Sequence, residues 1–266
     1  MGAIIGQTKK EKLLEFIKSN FGSLSQREMA RHLGIGKTAI NRWCRELGLE
    51  FERHSVNEDY FSGWGSEMAY VLGFIFADGN ISWHEKKSYR ALTITASEKD
   101  KMHLEMLRNM LSSTKPLLYS NSTKSYRLIV NNKKVCEDLM KYNLTPRKSL
   151  TVKFPNIPTE FLPHFLRGVI DGDGNVRYVN RKRSPYFEIT VSSGSKKFLD
   201  KMAKIISENG ISGKPRKTNK NLFILQYSCQ RGLDLANWIY KDADLFLERK
   251  HQPYLEALRV GGGDML

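Results

Sequence analysis

The sequence predicts an α+β protein in which a small all-α domain precedes a pseudo-twofold core of two αββαββα halves. Residues 71–79, with the sequence VLGFIFADG, return 95 positions later as LRGVIDGDG at residues 166–174. The same order of helical and alternating apolar spacings follows each copy, which indicates an internal duplication. Before residue 50 only helical spacing occurs, so we expect a separate domain there. The expected divisions are 1–50 for the helical domain, 51–65 for a linker, 66–158 and 159–260 for the two halves, and 261–266 for a tail.

The composition is that of a folded and strongly basic protein. The chain has 266 residues, of which 40% are hydrophobic and 11% aromatic, enough for packed cores. Its 43 Lys and Arg against 28 Asp and Glu give a formal net charge of +15. This charge favours nucleic acid over membrane as the partner, although a basic protein without such a partner has the same composition.

Cysteine usage and hydropathy bear on where the protein works. The three cysteines, Cys44, Cys136 and Cys229, are far apart and fit neither a zinc site nor a disulfide framework. No apolar run reaches the length of a signal peptide or a membrane span. We therefore expect a cytoplasmic protein in a reducing compartment with no membrane partner.

The N-terminal region has the pattern of three short helices. Residues 8–22 are amphipathic at helical spacing, Ser25 and Glu28 can form a capping box, and Gly34 can make a sharp turn before a helix starting near Lys37. This pattern resembles the tri-helical helix-turn-helix fold. A three-helix module that binds protein instead is the alternative. The resemblance implies DNA contacts from the exposed face of the third helix, formed by Lys37, Thr38, Asn41, Arg42 and Arg45.

Each repeated stretch is an apolar helix that ends on a carboxylate followed by a glycine. Gly79 and Gly174 suit the left-handed position after a helix end, which places Asp78 and Asp173 in the last turn. The helix dipole is negative there and disfavours a second negative charge, so a cation is expected. If the two helices pack along their small residues, both carboxylates meet and form a site for a hard cation such as Mg²⁺. These small residues are Gly73 and Ala77 in the first helix and Gly168 and Gly172 in the second.

At these residues the sequence resembles the single-chain, two-motif LAGLIDADG homing endonucleases. The resemblance implies a monomer with two saddle-shaped antiparallel sheets over double-stranded DNA, and Mg²⁺ or Mn²⁺ held by Asp78 and Asp173. It also implies an intron-encoded origin. Two motif positions depart from the family: Phe76 stands where the second copy has Asp171, and Arg167 replaces a small residue. Neither departure falls on the two metal-ligating aspartates.

Beyond each motif, alternating and helical spacings predict the remaining elements. Strands are expected at 80–83, 89–97, 116–120, 125–131, 175–179, 186–193, 213–218 and 222–228, and helices at 100–112, 133–142, 196–209 and 232–240. The polar strand faces are expected to contact DNA through Thr93, Thr95, Arg127, Asn131, Asn175, Arg177, Arg181, Glu188 and Thr190. The run Arg181, Lys182 and Arg183 is expected at a hairpin tip near phosphates, with a solvated turn as the alternative.

The family resemblance also implies a basic residue near each metal ligand. Lys148 and Lys250 lie in similar basic stretches that close the two halves, 70 and 77 positions after their aspartates. Lys153 is a rival in the first half, and each lysine alone could equally be a surface charge.

These observations together predict a metal-dependent endonuclease that hydrolyses both strands of DNA at a long, specific site. A transcription regulator that keeps the fold without cutting is the main alternative, but it has no need for two adjacent acids. An RNA-splicing maturase on the same fold remains open.

Overall fold

The computed structural model describes residues 2–50, 54–84, 89–181, 185–219 and 221–264. The chain divides into two compact units, Met1–His54 and Ser55–Leu266. Among the described residues, no helix is both long and apolar enough to cross a bilayer.

The first unit is a bundle of three helices: α1 (Gly2–Asn20), α2 (Gln26–Leu33) and α3 (Lys37–Glu46). Its small core contains Ile17, Met29, Ile40 and Cys44. The capping box forms as expected, since the Ser25 N–H donates to Glu28 over 2.8 Å and the Glu28 N–H donates to the Ser25 hydroxyl over 3.3 Å. Gly34 takes the left-handed conformation with φ 63°. The expected start of α1 at residue 8 is wrong: no proline interrupts residues 2–7, and the helix continues through them.

The second unit contains the two halves, each a sheet with its helices. The first half holds α4 (Ser66–Asp78), β1 (Gly79–His84), β2 (Tyr89–Ser97), α5 (Lys101–Met110), β3 (Leu118–Ser120), β4 (Ser125–Val130) and α6 (Lys133–Lys141). The second half holds α7 (Leu162–Asp173), β5 (Gly174–Val179), β6 (Tyr186–Ser193), α8 (Lys196–Glu208), β7 (Arg216–Asn219), β8 (Leu222–Ser228), α9 (Gln230–Tyr240) and α10 (Glu248–Asp264).

The two sheets have the same topology, which confirms the duplicated α+β fold. Both are four-stranded and antiparallel, ordered β1-β2-β4-β3 and β5-β6-β8-β7. The registers also correspond: Asn80 pairs with Thr93 in the first half as Asn175 pairs with Thr190 in the second. Apolar faces of both sheets join one core.

Helices α4 and α7 pack at backbone contact through their small residues. A Cβ on Gly73 would lie 2.1 Å from the Phe165 carbonyl oxygen, and one on Gly168 would lie 2.1 Å from the Tyr70 carbonyl oxygen. A Cβ on Gly172 would lie 2.2 Å from the Ala77 Cβ. No side chain fits at these glycines, so the expected small-residue stripes bring the two motif helices together.

The glycines that follow the motif aspartates are not left-handed, so that expectation is wrong. Gly79 has φ −87° and Gly174 has φ −82°, because each helix turns directly into an extended strand. Glycine is needed for space instead: a Cβ at either position would lie 2.5 Å from the carbonyl oxygen of Ile75 or Ile170.

The remaining differences concern element ends and one helix. Strands β3 and β7 begin later than expected because Pro116 and Pro215 cannot donate to the ladder. Helix α10 was not expected and extends through the predicted tail to Asp264. Residues 55–65, expected within the linker, lie against the core, where Phe61 is 1% exposed.

Candidate functional site

The motif aspartates lie at the abutting ends of α4 and α7. Asp78 is partly buried and Asp173 is exposed. A Cβ on Gly172 would lie 3.3 Å from Asp78 Oδ2, which shows how closely the end of α7 approaches this carboxylate. Among the described residues, neither aspartate side chain accepts a hydrogen bond or forms an ion pair. The two helix ends therefore present two carboxylates with free oxygen atoms.

The surroundings disfavour negative charge on both carboxylates. Burial, followed by the charge of Asp173, raises the pKa of Asp78 from 3.8 to about 6, against the opposing effect of Lys250 and Lys148. Although part of Asp173 is exposed to solvent, the protein atoms around its carboxylate displace water from it and raise its pKa, again opposed by Lys148 and Lys250. A cation between the carboxylates would relieve this cost.

Lys250 caps the end of α7. Its Nζ donates to the carbonyl oxygens of Ile170 at 3.0 Å, Asp171 at 2.5 Å and Gly172 at 2.9 Å. An ammonium group has three N–H donors, so all of them are used. Burial lowers the pKa of Lys250 to about 8, which leaves it mostly charged at neutral pH. Lys250 therefore places a positive charge at the negative end of α7.

Lys148 occupies the corresponding place at the end of α4. Its Nζ donates to the Ala77 carbonyl oxygen at 3.0 Å and also to that of Phe76. Burial lowers the pKa of Lys148. Because only two carbonyls of the described chain accept from this ammonium, one N–H is left. Lys153, the rival candidate, is exposed, so the geometry favours Lys148.

The two motif carboxylates suit a hard divalent cation. Carboxylate oxygens are the ligands that Mg²⁺ prefers, usually one or two of them together with water or phosphate oxygens. Within the described ranges, no group of three or more His, Cys, Asp or Glu side chains is placed to hold a metal. Asp78 and Asp173 could hold such an ion as two carboxylate ligands, with water supplying the others.

Asp171 has a role that its motif position did not reveal. It is 1% exposed, and its Oδ2 accepts from the Tyr70 hydroxyl at 2.8 Å and from the Leu247 N–H at 2.7 Å. The Tyr70 hydroxyl is also 3.0 Å from His103 Nε2. Burial raises the pKa of Asp171 to about 6 despite these hydrogen bonds. Asp171 thus ties the start of α10 to α4.

The corresponding pocket on the other side of the helix pair is apolar. Phe76, at the first-half position equivalent to Asp171, packs on Phe165 with ring centroids 5.3 Å apart and on Phe198 at 6.1 Å. These two phenylalanines occupy the positions equivalent to Tyr70 and His103, 95 residues earlier. The pseudo-twofold symmetry of the backbone is therefore broken in side-chain chemistry beneath the site.

Arg167, the second departure from the motif, is structural. It is 1% exposed and donates to the Leu245 carbonyl oxygen at 2.6 Å, to the Ile239 carbonyl oxygen and to His164. It holds the loop between α9 and α10, and its guanidinium also lies over the ring of Tyr70 in α4, 5.4 Å from the ring centroid.

In the second sheet, the candidate DNA-contacting residues form an internally paired face. Arg177, Glu188 and Ser228 lie in register, as do Asn175, Thr190 and Gln226. Glu188 is 5% exposed, paired with Arg177 at 2.7 Å and bonded to Ser228 at 3.0 Å. Glu188 thus orients Arg177 and is covered by its partners, which corrects the expectation of a free contact residue.

The other candidate contacts are mostly exposed. Thr95 and Arg127 are exposed and in register, Thr93 is partly buried, and Asn131 is exposed just beyond β4. Arg181 lies 5.5 Å from the Tyr186 ring centroid, whereas Lys182 and Arg183 lie outside the described residues. On α3, Lys37, Thr38, Arg42 and Arg45 are exposed, and Asn41 accepts from Gln26 at 2.6 Å.

Comparison with known proteins identifies the fold. Residues 160–233 match a family model described as a LAGLIDADG-like domain. An uncharacterized protein of Methanocaldococcus jannaschii is 23% identical over 221 residues, 74% of this chain and 73% of that protein.

Two similar solved structures contain DNA. Meganuclease I-SmaMI bound to uncleaveable DNA has a TM-score of 0.53 at 12% identity, covering 73% of this chain and 91% of that one. The LAGLIDADG homing endonuclease I-GzeII in complex with its DNA target has a TM-score of 0.52 at 13% identity, covering 75% and 91%. The resemblance read from the two motif copies is confirmed, and the core has the duplicated LAGLIDADG fold.

Proposed function

We propose that this chain, whose core has the duplicated LAGLIDADG fold, is a site-specific endonuclease that hydrolyses both strands of duplex DNA. The observation that carries the proposal is the meeting of Asp78 and Asp173 at two abutting helix ends, each with a lysine bound behind it. A DNA-binding protein that does not cut gains nothing from two carboxylates whose charge is disfavoured by their surroundings.

The residues at the helix ends can supply what phosphodiester hydrolysis needs. In the reaction, a water oxygen bonds to phosphorus and the bond to the leaving sugar oxygen breaks. The attacking water gives a proton to solvent, and the leaving oxygen takes a proton from solvent. A divalent cation held by Asp78 and Asp173 would orient the water and neutralise charge on the attacking and leaving oxygens. Lys148 and Lys250 add fixed positive charge where negative charge grows on the phosphate. With all three N–H groups bound, Lys250 acts through its charge and not as a proton donor.

The substrate is proposed to lie across the polar faces of the two sheets. A monomer with two similar halves matches the two antiparallel strands of a duplex, so one half can serve each strand. Arg127 and the paired Arg177 contact DNA from opposite sheets, and the net charge of +15 supports phosphate binding. The exposed residues of α3 add a second contact that lengthens the site.

The test uses plasmid DNA carrying the sequence of the insertion junction of the protein's own gene. Wild type is expected to linearise it with Mg²⁺ or Mn²⁺ and to leave it intact in EDTA. Asp78→Asn and Asp173→Asn are expected to bind this DNA within a few-fold of wild type without linearising it. The matched control is Asp200→Asn, which changes an exposed α8 aspartate paired with Lys196 and should cut normally.

Two outcomes would contradict the proposal. Tight, specific binding by wild type without cleavage in any divalent metal would indicate a DNA-binding regulator. Linearisation at the wild-type rate by either asparagine variant would show that the paired carboxylates do not hold the catalytic ion.

A further inference from the structure

The segments that carry the two lysines are each anchored on the opposite half of the core. Lys148 closes the first half, and its segment lies against the junction of β6 and α8 in the second. Lys250 closes the second half, and its segment is bound to the junction of β2 and α5 in the first. The two anchors occupy equivalent places, since Asp100 precedes α5 as Ser195 precedes α8.

The anchor beside Lys250 is a bidentate ion pair between Arg249 and Asp100. Arg249 Nε donates to Asp100 Oδ1 at 2.7 Å, and Arg249 Nη2 donates to Asp100 Oδ2 at 2.8 Å. Asp100 is 7% exposed and also accepts from the Ser97 hydroxyl at 3.0 Å. Burial alone would raise the pKa of Asp100, but these hydrogen bonds hold it below its usual range. Two parallel hydrogen bonds of this kind fix the orientation of the Arg249 guanidinium as well as its distance from the carboxylate.

A second contact fixes the same turn from the other side. The Leu247 N–H donates to the buried carboxylate of Asp171 at 2.7 Å. Lys250 therefore lies in the first turn of α10 between two fixed points, one on Asp100 and one on Asp171. A shift of Arg249 would move the neighbouring ammonium away from the three carbonyls at the end of α7.

The anchor beside Lys148 uses neutral groups. The Ser195 hydroxyl donates to the Val152 carbonyl oxygen at 2.7 Å, and the Val152 N–H donates back to the Lys148 carbonyl oxygen at 2.8 Å. The segment also lies on Gly194, where a Cβ would be 2.6 Å from the Ser149 carbonyl oxygen. This contact has no charged partner equivalent to Arg249 and Asp100.

We propose that Arg249 and Asp100 are positioning residues for Lys250 and that Ser195 is one for Lys148. Each half of the core then holds in place the lysine that belongs to the other half. Because each anchor holds a different lysine, disturbing one anchor slows the cleavage of one DNA strand more than the other. This inference rests on the proposed function, since it assigns one lysine to each strand.

The test measures each strand separately. A duplex target labelled at the 5′ end of either strand is cut by wild type, Arg249→Gln, Asp100→Asn and Ser195→Ala, and the ratio of the two strand rates is determined. Arg249→Gln and Asp100→Asn are expected to shift this ratio by about tenfold in one direction and to accumulate nicked duplex. Ser195→Ala is expected to shift it the opposite way. Arg249→Lys, which keeps the charge but loses the bidentate pairing, is expected to lie between.

The matched control breaks an ion pair that touches neither lysine segment. Arg90→Gln removes the pair between Arg90 and Glu137, which joins β2 to α6, and should leave the strand ratio unchanged. A merely structural role for Arg249 would lower both strand rates together as the fold weakens. Thermal melting of every variant identifies the temperature at which all of them are folded.

A second measurement does not depend on cleavage. Lysine acetylation in EDTA, followed by mass spectrometry, reports how well each ammonium is held. Lys250 is 4% exposed and should be protected in wild type, but labelled faster in Arg249→Gln and in Asp100→Asn. The labelling of Lys148 should not change in these variants.

The outcomes separate the two proposals. If wild type cuts but both strand rates change equally in Arg249→Gln and Asp100→Asn, the positioning role is wrong. If wild type cuts neither strand, the proposed function is wrong, and unchanged Lys250 labelling would then overturn the anchoring as well.

Discussion

Replacing Asp78 by asparagine should stabilise the metal-free protein. The amide keeps the size of the side chain and removes a charge that the folded state disfavours. The rise of the Asp78 pKa from 3.8 to about 6 corresponds to at most about 3 kcal/mol of unfolding free energy at neutral pH. Asp78 is partly exposed, so solvent screening leaves about 1 kcal/mol. For a core of this size we expect a rise in melting temperature of about 2–4 °C.

The pH dependence gives the sign of the effect. Since the folded pKa lies above the unfolded one, the ionised carboxylate costs nothing below about pH 4 and its full amount above about pH 6. The charged groups that act on Asp78 are Asp173 and Asp100, which raise its pKa, and Lys250 and Lys148, which lower it. In EDTA, the melting temperature of Asp78→Asn should therefore exceed that of wild type by an amount that grows between about pH 4 and pH 7.

The assay is thermal unfolding of wild type, Asp78→Asn and the surface control Asp200→Asn, followed across this pH range with EDTA and again with Mg²⁺. Mg²⁺ should narrow the difference, because wild type gains more binding free energy than the variant. An Asp78→Asn protein that melts below wild type in EDTA, or a difference that does not depend on pH, would refute the reasoning. Either result would mean that the carboxylate stabilises the helix end.

The remaining predictions concern packing and DNA binding. Gly168→Ala forces a Cβ to within 2.1 Å of the Tyr70 carbonyl oxygen and should cost at least about 3 kcal/mol in denaturant unfolding. Gly63→Ala, where nothing lies within 4 Å, is its control; equal stability of the two would contradict the packing. The logarithm of the DNA association constant should fall against that of salt concentration with a slope of about 6 or more, whereas a slope near 2 in titrations would exclude the broad basic footprint. Deleting residues 1–54 should shorten the footprint at one end while the core still folds and cuts. Loss of cleavage at saturating protein would place the N-terminal unit inside the catalytic unit.

Much of the fold could be predicted from the sequence because the pattern of one half recurs in the other half. The small residues of α4 and α7 and the repeated strand alternation depend on local spacing, which sequence alone reveals. The capping box at Ser25 was equally local. Helix α10 was missed because Pro253 interrupts its pattern and its first turn consists mainly of charged residues. That helix is held by tertiary contacts through Arg249 and Lys250, and the spacing of residues in the sequence does not indicate such contacts.

The candidate site could be predicted only in part, because some of it also depends on tertiary contacts. The motif placed Asp78 and Asp173 together, and the family resemblance suggested Lys148 and Lys250. No pattern indicated that these lysines cap the motif helices, because their hydrogen bonds join residues more than 70 positions apart. The prediction of a left-handed conformation at Gly79 was wrong because glycine is needed there for space, since a Cβ would collide with the Ile75 carbonyl oxygen. Side chains that act across the halves become visible only when the halves are assembled.

The unequal pockets beneath the motif helices favour the pairing of unlike halves over the pairing of like halves. Two copies of the first half would place Phe76 against Tyr70 and His103, which leaves the buried hydroxyl without its carboxylate. Two copies of the second half would bury Asp171 among the rings that now surround Phe76, a far greater cost for an ionised group. If the chain is cut between the halves, the two unlike fragments should associate with each other in preference to forming pairs of identical fragments.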